Sequence, residues 1–306
     1  MATGGSTNHV IHLVAMARAV GLTITWDDMA DISAITPLIA RVYPNGEADV
    51  NQFHAAGGMA FVVRELINAG LAHESAMTIW GPGLSAYAKD PFLVDSKLVW
   101  RDAAEKSHDE KILRSVSNPF SADGGLKLLR GNLGRSVIKT SAVDPKYWEL
   151  TAPARVFESQ EAMAAALKAG LNEDFIAVIR GQGPRANGMP ELHKLIPAMS
   201  GLLAKGRRVA IVTDGRMSGA SGKVPAAIHL TPEAAADGPI SKLRDGDILR
   251  LDARAGVLEA QVDAAVFQAR AAIKPEMMDT TYGVGRELFT RLREGATPAD
   301  EGASIL

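Results

Sequence analysis

The chain contains no cysteine among its 306 residues. That absence rules out disulfides, a thiolate nucleophile, cysteine-bound zinc and any all-thiolate iron–sulfur site built from these residues alone. Aromatic residues are scarce at 5%, and there is no excess of positive charge, with 33 Lys and Arg against 35 Asp and Glu. Without a basic stripe or interleaved aromatics, the composition argues against nucleic acid as a partner. No apolar run approaches the ~18 residues of a membrane span, so no membrane partner is expected. The opening residues Met1-Ala-Thr-Gly-Gly-Ser-Thr-Asn8 lack the basic and apolar regions of a secretory signal, and a cytoplasmic location is the expectation.

What is present suits a layered α/β protein. Apolar residues make up 47% of the chain and Gly is plentiful at 29 residues, enough for a sizeable core packed through small side chains. Gly4 and Gly5 form a turn, and Ser6, Thr7 and Asn8 are helix N-cap types. An apolar helical pattern follows from Val10 to Val20 and stops at Gly21. A glycine-rich turn feeding an apolar helix reads as the interior of something longer, since free termini usually fray. Further helices are expected after Trp26-Asp-Asp28, over Pro37–Val42 and over Met59–Ala69, with a turn at Pro44-Asn-Gly46.

From about Leu128 the pattern changes to short β-branched runs: Ser136–Lys139, Ala154–Phe157, Phe175–Arg180, Val209–Thr213, Ile248–Leu251 and Leu258–Val262. Helices are expected between them over Gln160–Lys168 and Glu191–Leu203. The expected architecture is therefore α/β: a partial, mainly helical region over 1–124, then a β-barrel-like domain of mixed strands with flanking helices over 125–306.

The segment Phe175–Gly222 concentrates the chemistry. Two strands, Phe175–Arg180 and Arg207–Thr213, each end in a glycine-rich loop and enclose a helix, the pattern of a βαβ unit with parallel strands. Both loops then leave the carboxyl edge of the sheet, where open α/β sheets place ligands. This gathers Arg185, Asn187 and Glu191 with Asp214, Arg216, Ser218 and Ser221, a set suited to an oxygen-rich anion. Simpler readings exist for each. The loops match neither phosphate fingerprint, Glu191 could serve a helix dipole, and Ser218 could be a turn serine without a His–Asp pair. His9 and His12 lie one helical turn apart without a third ligand, and His193 and His229 carry no independent signal.

Six motifs then occur in order: Ala2-Thr-Gly-Gly-Ser-Thr-Asn8; Phe53-His-Ala-Ala-Gly-Gly58; Gly131-Asn-Leu-Gly134 with Lys139-Thr-Ser-Ala142; Pro153-Ala-Arg-Val-Phe-Glu-Ser159; Asn187-Gly-Met-Pro-Glu191; and Thr213-Asp-Gly-Arg-Met-Ser-Gly219. Together they resemble the dihydroxy-acid dehydratase and 6-phosphogluconate dehydratase family over essentially the whole chain. Asn8-His9, Tyr43-Pro-Asn-Gly46, Gln182–Gly188 and Ser221-Gly-Lys223 resemble its 6-phosphogluconate branch. The resemblance implies a hydro-lyase that converts 6-phospho-D-gluconate to 2-dehydro-3-deoxy-6-phosphogluconate, a step of the Entner–Doudoroff route. It implies an iron–sulfur cluster whose cysteines precede Met1 in a missing half, a divalent metal such as Mg, and a homodimer at full length.

Motif by motif, the resemblance makes Glu191 the metal ligand and Ser218 the catalytic base. Arg185, Arg216 and Lys223 are the cationic candidates for the phosphate of a small phosphorylated sugar acid, with Ser6, Asn8, Asn187 and Ser221 as further substrate contacts. Two other readings stay open: a sibling dehydratase of another sugar acid or dihydroxy acid, and a non-catalytic binding module of the same fold.

Overall fold

The computed structural model describes all residues except 219–221, 275–282, 284–285 and 306. The chain divides into two compact units: residues Met1–Gly5 with Ile32–Gly125, and residues Ser6–Asp31 with Leu126–Leu306. This differs from a single cut at 124/125, because the segment Ser6–Asp31 groups with the later residues.

That segment carries α1 (His9–Ala19) and the start of α2 (Trp26–Ile35). Helix α1 buries Val10, Ile11, Val14 and Ala17, while Leu13, Met16 and the following Val20 are exposed. Helix α2 opens on Asp27 and Asp28, whose charge suits a helix N-terminus. Arg135 also binds Asp27 at 2.7 Å, and Trp26 is fully buried with its indole N–H donating to the Val10 carbonyl at 3.1 Å.

In the first unit, α3 (Val50–Ala56) and α4 (Gly58–Asn68) meet at Gly57, whose φ of +136° is open only to glycine. A capping box starts α3: Asp49 accepts from the Gln52 amide, and the Gln52 side chain accepts from Asp49. The helix expected over Pro37–Val42 is absent. Leu38, Ala40 and Val42 instead form isolated bridges to Ser121, Leu113 and Ala48, and Leu38, Ile39 and Ala40 are buried. An apolar stretch too short for a helix finds its partners by extending. The first unit is also less helical than expected: β1 (Met77–Thr78) pairs with β2 (Gly81–Pro82), and β3 (Lys89–Val94) with β4 (Lys97–Asp102).

The second unit is built on a closed barrel of eight strands: β5 (Leu126–Gly131), β6 (Gly134–Lys139), β7 (Glu149–Phe157), β8 (Phe175–Ile179), β9 (Val209–Thr213), β10 (Ala226–Thr231), β11 (Ile248–Asp252) and β12 (Val257–Ala260). Their order around the barrel is β10-β6-β5-β12-β11-β7-β8-β9. The expected mixed-strand barrel is thus present. Strands β7, β8, β9 and β10 run parallel, and β8 and β9 are neighbours as the βαβ pattern required. Every residue of β8 and β9 is buried, the continuous apolar run of strands covered on both faces. Alternate residues, Ile176 and Val178 with Ala210 and Val212, join Leu129, Ile138, Leu249 and Leu251 in the barrel core. Helices α5 (Gln160–Lys168), α6 (Pro184–Asn187) and α7 (Ile196–Ala204) lie in the crossovers, and Ser159 caps α5 by accepting from Ala162 N at 3.0 Å.

The parallel strands end side by side, and one carboxylate joins their exits. Asp214, just beyond β9, is fully buried and accepts from Gly181 N at 3.1 Å, Gln182 N at 2.9 Å and Ala234 N at 2.9 Å. Burial holds its pKa above the ordinary carboxylate value against the pull of those amides. Asp214→Ala would strand three buried amides and should lower the unfolding free energy by about 3 kcal/mol or more. Asp214→Asn, which keeps an acceptor, should cost less; chemical denaturation of the two variants checks the order.

Candidate functional site

The loop after β8 turns through Gly181, at φ +73°, and enters α6 at Pro184. A Cβ on Gly183 would collide with the Glu233 carboxylate, which accepts from the amides of Arg185 at 2.9 Å and Ala186 at 3.1 Å. The chain then leaves α6 through two left-handed residues, Gly188 at φ +67° and Met189 at φ +54°. Those turns carry Glu191 to the strand-like stretch beyond β9. Glu191 and Arg216 form an isolated parallel bridge, and Leu192 N donates to the Arg216 carbonyl at 3.0 Å. Arg216 is fixed further by its Nε, which donates to the Met189 carbonyl at 2.6 Å.

On this frame the Glu191 carboxylate is oriented from one side. Its Oε1 accepts from Asn8 Nδ2 at 3.0 Å and from Arg216 Nη1 at 3.3 Å. Asn8 is the N-cap of α1, yet its side chain makes no cap hydrogen bond; it serves Glu191 instead. Ser6 stands beside it, its hydroxyl accepting from Asn8 N at 3.2 Å. Oε2 of Glu191 makes no hydrogen bond among the described residues, and the side chain is about one-third exposed. A carboxylate held by one oxygen with the other open is what an outer shell gives a metal-ligating side chain. Glu191 therefore fits as one ligand of a divalent cation. Among the described residues no group of three His, Cys, Asp or Glu could complete such a site. An iron–sulfur cluster has no thiolate here at all.

The remaining sequence candidates separate. Asn187 Nδ2 donates to Gln182 Oε1 at 3.1 Å, next to the Asp214-bound loop. Ser218 lies two residues beyond Arg216 and is half-buried. Arg185 donates from Nε to the Ala296 carbonyl at 2.9 Å and lines a cavity of about 350 Å³ with Arg135, Glu233 and Asp300. Lys223 is exposed in a different cavity, with Lys146, Tyr147 and Ser200. Ser221 lies outside the described residues.

Two groups are buried where the sequence carried no sign of burial. The Lys139 ammonium on β6 is buried without a hydrogen-bond partner among the described residues, and burial draws its pKa down to about 8. His229 on β10 is wholly buried, with neither ring nitrogen hydrogen-bonded among the described residues. Its φ is +59°, and its amide leaves the ladder to donate to the Gly215 carbonyl at 2.8 Å. Register against β6 slips at this point, between Ile228 and Thr231. A strand histidine gives no periodic signal of such a bulge.

Comparison with known proteins bears on this geometry. A family model for the C-terminal domain of dihydroxy-acid/6-phosphogluconate dehydratases matches residues 111–303, and the corresponding N-terminal model matches residues 1–87. The chain belongs to this family. It is 56% identical over 304 residues to a phosphogluconate dehydratase of Pseudomonas aeruginosa, covering 99% of this chain and 50% of that protein. Identity is 53% over 307 residues to a phosphogluconate dehydratase of Escherichia coli K12, covering all of this chain and 51% of that protein. A dihydroxy-acid dehydratase of Ignicoccus hospitalis is 36% identical over 312 residues. The chain spans about half the length of the curated relatives it matches. Among the described residues of this family member, no helix is long and apolar enough to cross a membrane.

The buried imidazole gives the site a pH signature. Burial first, then the Arg216 charge, then His12, push the His229 pKa down to about 3 from 6.5. Below pH 6.5 the unfolded chain takes up a proton that the folded chain refuses. Stability from this group is thus complete above pH 6.5 and is lost as pH falls toward 3, with a slope of about 1.4 kcal/mol per pH unit. His229→Asn should flatten that part of the stability profile, measured by urea denaturation from pH 6.5 to 4.

Proposed function

We propose that these residues are part of a dehydratase that eliminates water from 6-phosphogluconate to give a 2-keto-3-deoxy acid. The observation carrying the proposal is the oriented Glu191 carboxylate, held by Asn8 and Arg216 with Oε2 open. Glu191 and Arg216 sit in motifs that resemble the whole family, and Asn8 also in one that resembles its 6-phosphogluconate branch. Identities of 53% and 56% to phosphogluconate dehydratases, against 36% to a dihydroxy-acid dehydratase, support the phosphorylated substrate.

In this reading Ser218 is the base. Its deprotonated hydroxyl takes the C2 proton, the C2–H electrons form a C2=C3 bond, and the C3 hydroxyl leaves and is protonated to water. The resulting enol tautomerises to the ketone. A serine hydroxyl is a poor base at neutral pH, so it requires a nearby cation to favour its alkoxide. Glu191 would be one ligand of a Mg-like divalent ion, which lowers the pKa of bound oxygens. Any cluster acting as Lewis acid toward the C3 hydroxyl would take its thiolates from outside these 306 residues, which by themselves should bind no cluster. Arg216 and Asn8 keep the carboxylate turned; Ser6, Asn187 and Ser221 are further substrate contacts. Of the phosphate candidates we favour Arg185, whose loop also carries Asn187 and Glu191 and whose Nη groups make no hydrogen bond among the described residues. Lys223 lines another cavity, so one phosphate would not meet both. The working enzyme would be a cytoplasmic homodimer.

The test separates Glu191 from Ser218 in a protein that also carries the cluster-binding half. Glu191→Gln removes a charge that a hard cation prefers and should weaken metal binding and turnover together. Ser218→Ala should cut turnover by about 10²-fold or more, with metal content and substrate affinity nearly unchanged. Near-normal turnover in the alanine variant would remove Ser218 from the mechanism.

A further inference from the structure

The His229 ring is a cost that packing does not explain. A buried imidazole with no hydrogen bond forfeits the solvation of both its nitrogens. The backbone beneath it is at φ +59°, a region unfavourable to a residue bearing a Cβ. An apolar side chain, or a glycine, would avoid one or both penalties. Nor is the ring remote from the site. Its amide is bonded to the Gly215 carbonyl, immediately before Arg216, at 2.8 Å. Arg216 and His12 both act electrostatically on the ring, and His12 lies one helical turn beyond Asn8 on α1. The Trp26 ring closes another side, with centroids 6.2 Å apart. Asn8 itself has a buried Oδ1 with no hydrogen-bond partner among the described residues. Among the described residues, unpaired buried polar atoms therefore occur on Asn8, which donates to Glu191, and on His229, whose amide is bonded to the residue before Arg216.

We infer that His229 is a hydroxyl-anchoring residue of this site, its neutral imidazole donating one N–H to an oxygen that the described residues do not provide. The oxygen is that of an ordered water beside the ring or of a hydroxyl on a bound polyhydroxy acid. Both are small, and each can also donate, which suits a neighbourhood holding an unpaired Asn8 carbonyl. A cation in the ring's place would repel Arg216. A neutral donor leaves the guanidinium to Glu191. Among the described residues neither ring nitrogen of His229 is bonded to Glu191, so it acts as a positioning residue unless the ligand arm below holds. That arm rests on the dehydratase reading; the water arm does not.

The experiment is nitrogen-15 NMR of this chain with labelled histidine and arginine, with 6-phosphogluconate as the probe and His229→Asn to assign the ring by its loss. The expected result is a neutral ring from pH 5 to 8 with one hydrogen-bonded, slowly exchanging N–H. If that proton is present without the probe and unmoved by it, the oxygen is a water's. If it appears or shifts only with the probe, the oxygen belongs to the ligand. A ring that titrates between pH 6 and 7, or an N–H that lacks a hydrogen-bonded shift with and without probe, overturns the inference. The Arg216 Nε–H resonance reports separately: if the probe leaves it unmoved, the dehydratase reading suffers while the His229 result still stands or falls on its own proton. Melting temperatures give a second arm. His229→Phe keeps a ring but no nitrogen and should melt below His229→Asn, which is at ease with positive φ and retains a donor. A phenylalanine variant as stable as the parent would show that nothing is bonded to the imidazole.

Discussion

The barrel's working edge depends on one buried carboxylate. Four parallel strands deliver four loops to the same end of the second unit, and loops leaving parallel strands have no ladder to fix them. Asp214 supplies the missing partner, joining the amides of Gly181 and Gln182 after β8 to that of Ala234 after β10. A carboxylate with no exposure is expensive unless its lone pairs are filled. Here three amides fill them, so the cost of burial becomes a penalty on any rearrangement of the loops. Glu233 repeats the device one strand away, accepting from the first turn of α6. Polar residues that look catalytic by composition are thus divided between holding the loops and facing the site. Asp214 and Glu233 do the first; Glu191 and Arg216 are available for the second.

The same division explains how Glu191 is presented. Its main chain is bound to Arg216 by the bridge and by Leu192, so the two side chains are set against each other before any ligand arrives. Ion pairs with this much exposure contribute little to stability. Their value here is directional. Asn8 abandons the usual task of an N-cap residue and donates across to the same oxygen, leaving the first turn of α1 without its side-chain cap. A cap is worth roughly 1 kcal/mol; giving it up in order to orient a carboxylate is the kind of local conflict expected at a functional site.

Legibility in the sequence followed the physics that produces each element. Strands β8 and β9 were plain because burial on both faces makes continuous apolar runs, and the helix over Gln160–Lys168 was plain because Ser159 caps it. Pairing Arg185–Glu191 with Asp214–Ser218 on one edge followed from the βαβ pattern alone. The pattern could not tell which side chains would meet. Arg185 turns to a cavity with Arg135, whereas Arg216 turns to Glu191, because two left-handed residues at Gly188 and Met189 intervene. Over Leu38–Val42 the apolar run extends through isolated bridges to residues far along the chain, information a local window does not hold. The β3–β4 hairpin was hidden for a related reason: its strands are largely exposed on both faces and show no alternation.

His229 marks the limit of that kind of reading. Nothing in Ala226–Thr231 distinguishes a core histidine from a working one, and the bulge that isolates it appears only when β10 is laid against β6. Its significance comes from an accounting of hydrogen bonds, which exists only in three dimensions. The histidine, the bulge and the amide bond to Gly215 share one location because each depends on the others. The bulge frees an amide from the ladder, the freed amide fixes the residue before Arg216, and the ring is left in the core beside Trp26. The irregular stretch of β10 is thereby tied to the residue before Arg216, and Arg216 in turn donates to the oxygen that orients Glu191.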